Sequence, residues 1–308
     1  MLAGRLPKIT LVTPNYNYGQ FIAAAIESVL NQAYPDLEYI VLDDHSTDGS
    51  AEVIRRYESR LAHWDAGPNP GQYETITRGF ERATGEIFGW LNSDDMQMPW
   101  TLRAVGDLFA TFPDVQWISS LRQAHWDSDG YCVAISANRG FSREAFLDGR
   151  YLPPDAVDPD GVPPTNREFI QQESTFWRRS LWEKAGGYLS HEFGPAGDFE
   201  LFARFYQHAE LIGVDVPLGG FRHQNQQQSA QRLKYAESCL PALQTVRTRS
   251  GWRASAVRRL VHGARSLLRG ETAADFAFRP FGYSGKRITR RQIDTPDAHW
   301  GLEEHRFI

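Results

Sequence analysis

The sequence predicts an α/β fold, a doubly wound and mostly parallel sheet flanked by helices, with a helical C-terminal extension. Three observations predict it. Short apolar runs alternate with helically spaced segments through the first hundred residues, as in strands buried on both faces. The runs at 9–12, 38–42 and 87–91 each open into a polar turn, the place where parallel sheets bind ligands. From residue 231 the pattern changes to a basic amphipathic one.

Taken in order, residues 9–12 are the first strand and 14–19 a turn rich in Asn and Tyr. Residues 21–30 have helical apolar spacing (Phe21, Ile22, Ala25, Ile26, Val29, Leu30). The second strand is 38–42. A polar turn at 43–50 starts a helix running to about residue 60. A helix over 75–83 leads to the strand 87–91, and a helix over 101–112 to a strand at 115–119. This β-α-β order requires right-handed crossovers and places the turns after Val12, Leu42 and Leu91 on one sheet edge. Residues 121–164 show turns, prolines and scattered aromatics without a clear period. Helices return at 180–185 and 198–208, with a strand at 211–216. The expected organisation is a first half at 1–120, a second half of the same domain at 121–230, and the extension at 231–308.

Within the extension, Trp252, Ala256, Val257, Leu260, Val261, Ala264, Leu267 and Leu268 share one half of a helical wheel. Arg258, Arg259, His262, Arg265 and Arg269 share the other. The expectation is a helix packed on the main domain with its arginine face in water. The alternative is contact with an anionic membrane surface through residues 252–269.

Composition narrows the function classes. The chain has 308 residues, 41% hydrophobic and 23% charged, which is ample for a core. A net charge of −5 offers no basic field for nucleic acid. Nine tryptophans serve equally as core residues or as platforms for sugar rings. Cys132 and Cys239 form no Cys-x-x-Cys pair, which argues against a structural zinc site or a disulfide scaffold. No long apolar stretch precedes the first strand, so a cytoplasmic location is expected, with peripheral contact at the inner face of the membrane as an option.

Three acidic turns carry the chemistry. Asp43-Asp44-His45-Ser46-Thr47-Asp48-Gly49-Ser50 follows the second strand, where an acid can hold a base N–H or a ribose hydroxyl. Ser46 or Asp48 capping the next helix is the plainer reading. Asn92-Ser93-Asp94-Asp95 follows the strand 87–91. Adjacent carboxylates resist joint ionisation unless a hard divalent cation, shared with diphosphate oxygens, relieves the repulsion. Asp198 opens the helix 198–208, a position suited to a general base, or to an N-cap.

Five ordered motifs tie these turns together. They are Val12-Thr13-Pro14-Asn15-Tyr16-Asn17, Ser28-Val29-Leu30-Asn31-Gln32, the run from Glu38 to Ser50, Gly71-Gln72 with Ala83-Thr84-Gly85-Glu86, and Leu91-Asn92-Ser93-Asp94-Asp95. In these the sequence resembles the donor-binding half of family 2 glycosyltransferases, whose fold is the Rossmann-like GT-A type. The likeness extends less sharply through Glu183-Lys184-Ala185-Gly186-Gly187-Tyr188 and Gly197-Asp198 to His223.

The resemblance implies a metal-dependent, inverting, non-processive glycosyltransferase using a nucleotide-sugar donor, by default a UDP-sugar, and a saccharide or lipid-linked acceptor. Surface polysaccharide or glycolipid assembly is the implied setting. It implies that Thr13, Pro14, Asn15, Tyr16, Asp43 and Asp44 hold the nucleoside, with Arg78 as a diphosphate contact. Asn92, Ser93 and Asp94 would face the donor. Asp95 and His223 would hold Mn2+ or Mg2+, and Asp198 would be the catalytic base. Many relatives carry an acid just before the base, where this chain has Gly197, and Glu200 is the fallback. Glu173 is a candidate for lining the acceptor cleft. Two other classes stay open: a sugar-nucleotide nucleotidyltransferase, disfavoured because the 13–19 turn has one glycine and no Lys or Arg, and a non-catalytic nucleotide-sugar-binding protein.

Overall fold

The computed structural model describes residues 5–68, 71–158, 160–161, 168–224, 232–266, 278–295 and 297–308. The expected β-α alternation is present at the start of the chain. Strand β1 (Ile9–Asn15) leads to α1 (Ile22–Leu30), β2 (Leu37–Asp43), α2 (Ser50–Arg55), β3 (His63–Ala66), α3 (Gln72–Arg82) and β4 (Ile87–Trp90). The helix expected to reach residue 60 stops at Arg55, and a separate turn of 3-10 helix covers Glu58–Arg60. Gly71, at φ 119, sets the start of α3 at Gln72, earlier than the apolar spacing indicated.

A two-residue strand β5 (Met96–Gln97) precedes α4 (Thr101–Thr111) and β6 (Trp117–Ser120). The stretch that looked irregular holds a hairpin, β7 (Arg122–Trp126) with β8 (Cys132–Ala137), and α5 (Arg143–Leu147). Its turn is built by Asp127, whose carboxylate accepts from the amides of Asp129 and Tyr131, with Gly130 at φ 90. Then come β9 (Phe176–Arg178), α6 (Arg179–Lys184), α7 (Gly197–Phe205), β10 (Ile212–Val214), β11 (Gly219–Arg222), α8 (Arg232–Ser250) and α9 (Ala256–Ser266). The tail also supplies a hairpin, β12 (Tyr283–Arg291) and β13 (His299–Phe307), beside its helices.

Among the described residues, nine strands form the main sheet in the order β13-β12-β10-β6-β9-β4-β1-β2-β3. It is parallel except where β9 and β13 run antiparallel. A second sheet of four strands, β5-β11-β7-β8, stands beside it. Successive residues of the central strands enter different cores. Ile9, Leu11, Val41 and Ile87 pack on one side, and Val12, Leu42, Phe88 and Trp90 on the other. Among the described residues five tryptophans, Trp90, Trp117, Trp126, Trp177 and Trp182, are buried, Trp90 and Trp177 meeting edge to face at 5.5 Å. Burial of each such side chain contributes roughly 1.5–3 kcal/mol.

The tail corrects the expectation for its helix. Helix α9 does pack on the domain, but with its polar half. Arg258 reaches Asp148 and Glu144 and lies over the Tyr283 ring, and His262 is buried against Arg150. Val257 and Leu260 are exposed. The cause is Asp148, a buried carboxylate that also accepts from Trp252 and Tyr283. Burial pushes its pKa up, and Arg258 opposes that shift. Leu267, Leu268 and Arg269 of the expected helix lie outside the described residues. No helix among the described residues is long and apolar enough to cross a membrane.

Glu38 fastens the donor-side strands. Its carboxylate accepts from Lys8 (2.9 Å), from the hydroxyls of Thr10 and Thr84 (2.6 Å each) and from the Thr84 amide (2.7 Å). Burial raises its pKa, but the bonds from Thr10, Thr84 and Lys8 outweigh that and bring it down to about 2. A depressed carboxyl pKa gives stability that is full above the unfolded value near 4.5 and is lost as pH falls toward 2. Glu38→Gln is therefore expected to cost about 1–2 kcal/mol at pH 7, allowing for solvent screening. Urea melts at pH 7, 4 and 3 should show that gap closing with acid.

Candidate functional site

The turns after β1 and β2 are laced together. Asn15 donates to Asp43 Oδ1 at 2.6 Å, Ser46 donates its amide and hydroxyl to the same carboxylate, and the Asn17 amide donates to Ser46 Oγ. Asn17 (φ 56) and His45 (φ 50) take the left-handed conformation that the tight turns require. Asp48 accepts from the amides of Gly19 and Ser50, so it ties the first turn to the start of α2. Strand alternation separates the two neighbouring acids. Asp43 is 1% exposed and structural, while Asp44 lines the cleft.

At the end of β4, Asp95 is buried, with its Oδ1 accepting the Arg222 amide at 2.9 Å and its Oδ2 accepting Asn92 Nδ2 at 3.2 Å. Asn92 is in turn held by Gln72 and Gln172. Asp94 accepts from Gln224 at 3.1 Å, and Arg222 Nε binds its main-chain oxygen at 2.6 Å. Burial, then Glu173 and Asp94, pushes the Asp95 pKa well above the carboxylate range. Burial likewise raises Glu173 to about 7. Crowded carboxylates with raised pKa values make a donor set that a divalent cation would relieve. No cluster of three or more His, Cys, Asp or Glu arranged around a metal exists among the described residues. A hard cation shared with a bound diphosphate needs only one or two carboxylates from the protein, so Asp94 and Asp95 fit it. His223 has its Nε2 3.1 Å from His125 Nδ1, with the rings stacked at 5.3 Å, and His125 Nε2 reaches Ser136. That pairing leaves His223 Nδ1 as its atom for a metal or phosphate.

Asp198, the second residue of α7, receives both of its partners from the protein frame. The Phe199 amide binds Oδ1 at 2.7 Å, and the Tyr235 hydroxyl of α8 stands 3.2 Å from each carboxylate oxygen. Burial raises its pKa to about 6, against the lowering effect of those bonds. The departure at Gly197 has a steric reason. A Cβ there would lie 2.7 Å from the Tyr73 ring and 2.8 Å from the Ser190 carbonyl, so Tyr73 takes the space. Glu200, the fallback base, is held by Arg204 through two bonds of 2.7 and 2.8 Å and does not line the cleft.

One cleft of about 1380 Å³ collects these groups. Pro14, Asn15, Tyr16, Asp44, Asn92, Ser93, Asp94, Asp95, Asp198 and His223 line it, as do Glu173, His125 and Tyr235. Three expected donor contacts are not among its lining. Thr13 is buried with its hydroxyl 2.9 Å from Tyr39, Asp43 serves the turns, and Arg78 turns to Asp65 (3.6 Å) and the Pro68 carbonyl. Sequence reading missed Tyr235, Arg222 and His125. Only the site's own geometry reveals them, because each comes from a strand or helix far along the chain.

Residues 10–120 match the model of glycosyl transferase family 2. Over that segment the chain is similar to the glycosyltransferases of family 2. An uncharacterized glycosyltransferase of Nostoc sp. is 37% identical over 109 residues, 34% of this chain and 33% of that one. The putative teichuronic acid biosynthesis glycosyltransferase TuaG of Bacillus subtilis is 35% identical over 92 residues, 29% of this chain and 36% of its own. The chain thus spans about a third of these relatives' length. Among solved structures, S. aureus TarS in complex with UDP-GlcNAc superposes with a TM-score of 0.54 at 16% identity, covering 72% of this chain and 60% of that one. The mannosyltransferase of Pyrobaculum calidifontis in complex with GDP-Man and Mn2+ gives 0.52 at 18% identity, covering 86% and 81%. At such identities the likeness is one of fold: the chain has the GT-A architecture.

The raised Asp198 pKa sets a stability test. Ionising this carboxyl in place costs the folded state, a penalty that begins above its ordinary value of 3.8 and is complete above about 6. Asp198→Asn is expected to raise the melting temperature at pH 8 by a few degrees and to leave it unchanged at pH 3.5. An equal rise at both would show that charge burial is not the cause.

Proposed function

We propose that the protein transfers a single sugar from a nucleoside diphosphate sugar to an acceptor hydroxyl, with inversion at the anomeric carbon. The observation that carries this reading is the shared cleft, in which Asp44, Asp94, Asp95 and Asp198 converge from three different parts of the chain. The family 2 match over 10–120 supports the donor half. That TarS binds UDP-GlcNAc and the Pyrobaculum enzyme GDP-Man makes UDP-sugars and GDP-sugars the donors to test, UDP-sugars first.

In this reading the 14–16 turn and Asp44 hold the nucleoside. Asp94 and Asp95 would hold a divalent cation, Mn2+ or Mg2+, with His223 beside them. When bound, the cation offsets the charge that the departing diphosphate gains. Asp198 accepts the proton of the acceptor hydroxyl as that oxygen bonds to the anomeric carbon and the bond from that carbon to the diphosphate breaks. The nucleoside diphosphate leaves, and no bond to the enzyme forms. A pKa near 6 suits this role, because the carboxylate is mostly ionised at neutral pH yet more basic than an exposed one. The Tyr235 hydroxyl orients both oxygens. The putative teichuronic acid biosynthesis glycosyltransferase among the relatives supports surface polysaccharide assembly as the setting.

The test is donor turnover with and without a chelator. EDTA should abolish transfer and Mn2+ restore it, and Asp95→Ala should do the same as EDTA. Asp198→Asn should lower kcat roughly 100- to 10,000-fold while donor affinity stays within about threefold. Near-normal transfer by Asp198→Asn would remove the base assignment. The rate should rise with pH through a limb near 6, since only the ionised carboxylate accepts a proton. Tyr235→Phe removes a bond that favours the charged form, so that limb should move upward in pH.

A further inference from the structure

Helix α9 inverts the usual logic of an amphipathic helix, which buries its apolar stripe. Its inward face is Arg258 and His262. Arg258 stands on Asp148 and Tyr283, and His262 Nδ1 is 2.9 Å from Arg150 Nη1 and stacks on Tyr283 at 5.6 Å. Its outward face carries Val257, 56% exposed, and Leu260, 75% exposed, with exposed Ala256 and Ala264 on the same side.

The charge around that stripe is one-sided. Residues 238–270 contain seven arginines and no Asp or Glu. Among the described residues Arg247, on Asp158 at 2.6 Å, and Arg258, as above, are used inward. Arg249, Arg253 and Arg259 are exposed beside the apolar stripe. A second copy seated here would bring like charges together, which opposes a symmetric pair. An anionic bilayer satisfies both features at once, taking the apolar side chains below its headgroups and the arginines among them.

We propose that the outward face of α9 docks the protein on an anionic lipid bilayer. Because Arg150, which holds His262, also holds Glu168 at 2.6 Å, and Glu168 lines the cleft, the docked helix lies two side chains from the site. An acceptor anchored in the same bilayer is the consequence, and that consequence alone rests on the glycosyl-transfer reading.

The experiment is flotation of the full chain with vesicles of phosphatidylglycerol and phosphatidylcholine against vesicles of phosphatidylcholine alone. Wild type should float with the anionic vesicles in 0.1 M salt, and much less in 0.5 M salt or without the anionic lipid. Val257→Asp with Leu260→Asp should cut flotation roughly tenfold or more, at an unchanged melting temperature because both positions are exposed. Arg253→Glu with Arg259→Glu should do likewise. As a control, Val133→Ser with Ile135→Ser, on the exposed strand β8, should float as wild type does. Failure of wild type to float, equal flotation on neutral vesicles, or full flotation of the Asp pair would overturn the proposal. So would a wild-type dimer in sedimentation that the Asp pair dissolves.

Discussion

The site rests on carboxylates brought into one poorly hydrated cleft at the ends of parallel strands. Such groups repel one another and lose water, and the raised pKa values of Asp95, Glu173 and Asp198 record that cost. A fold whose only task was stability would not gather them. The scaffold sustains the arrangement by saturating each group with oriented donors. Asp95 takes the Arg222 amide and Asn92, and Asp198 takes the Phe199 amide and Tyr235. These partners come from β11, β4, α7 and α8, so the tail and the central sheet share one site.

Legibility in the sequence followed the range of the interaction. Strands β1, β2 and β4 are buried on both faces by neighbours on either side, so each is a plain apolar run that reads locally. The hairpin β12–β13 does not read that way. It is polar, and its pairing depends on Arg287 facing Glu303 and on Arg290 over Trp300, partners separated along the chain. The same holds in the cleft. Asp44, Asp94, Asp95 and Asp198 announced themselves by their turns, whereas Tyr235 and His125 carry no local mark. Thr13, Asp43 and Arg78 show the opposite failure. Their motifs match a family pattern, but strand alternation sends Asp43 inward and Thr13 to Tyr39, and α3 turns Arg78 to Asp65.

Amphipathicity alone pointed to the apolar half of α9 as the one to meet the domain, and the polar half meets it instead. The choice turned on what stood opposite. Asp148 is buried and needs partners, and Arg258, Trp252 and Tyr283 supply them. Taking the charged partner from a buried carboxylate costs roughly 3–5 kcal/mol. The helix therefore follows the charge, and its apolar stripe is left outward as a by-product of satisfying Asp148.

Gly197 carries the same reasoning into the site. Gly197 has no side chain, and Tyr73 fills the space within 2.7 Å of where a Cβ would be. A second carboxylate there would have raised the Asp198 pKa further by like-charge repulsion. Its absence leaves burial as the main influence, balanced by Phe199 and Tyr235, and the result is a group near 6. Tyr73 thus occupies the space in which a side chain at 197 would stand. It also fixes the 194–196 turn by donating to the Pro195 carbonyl at 2.5 Å, so the same ring sets where α7 begins.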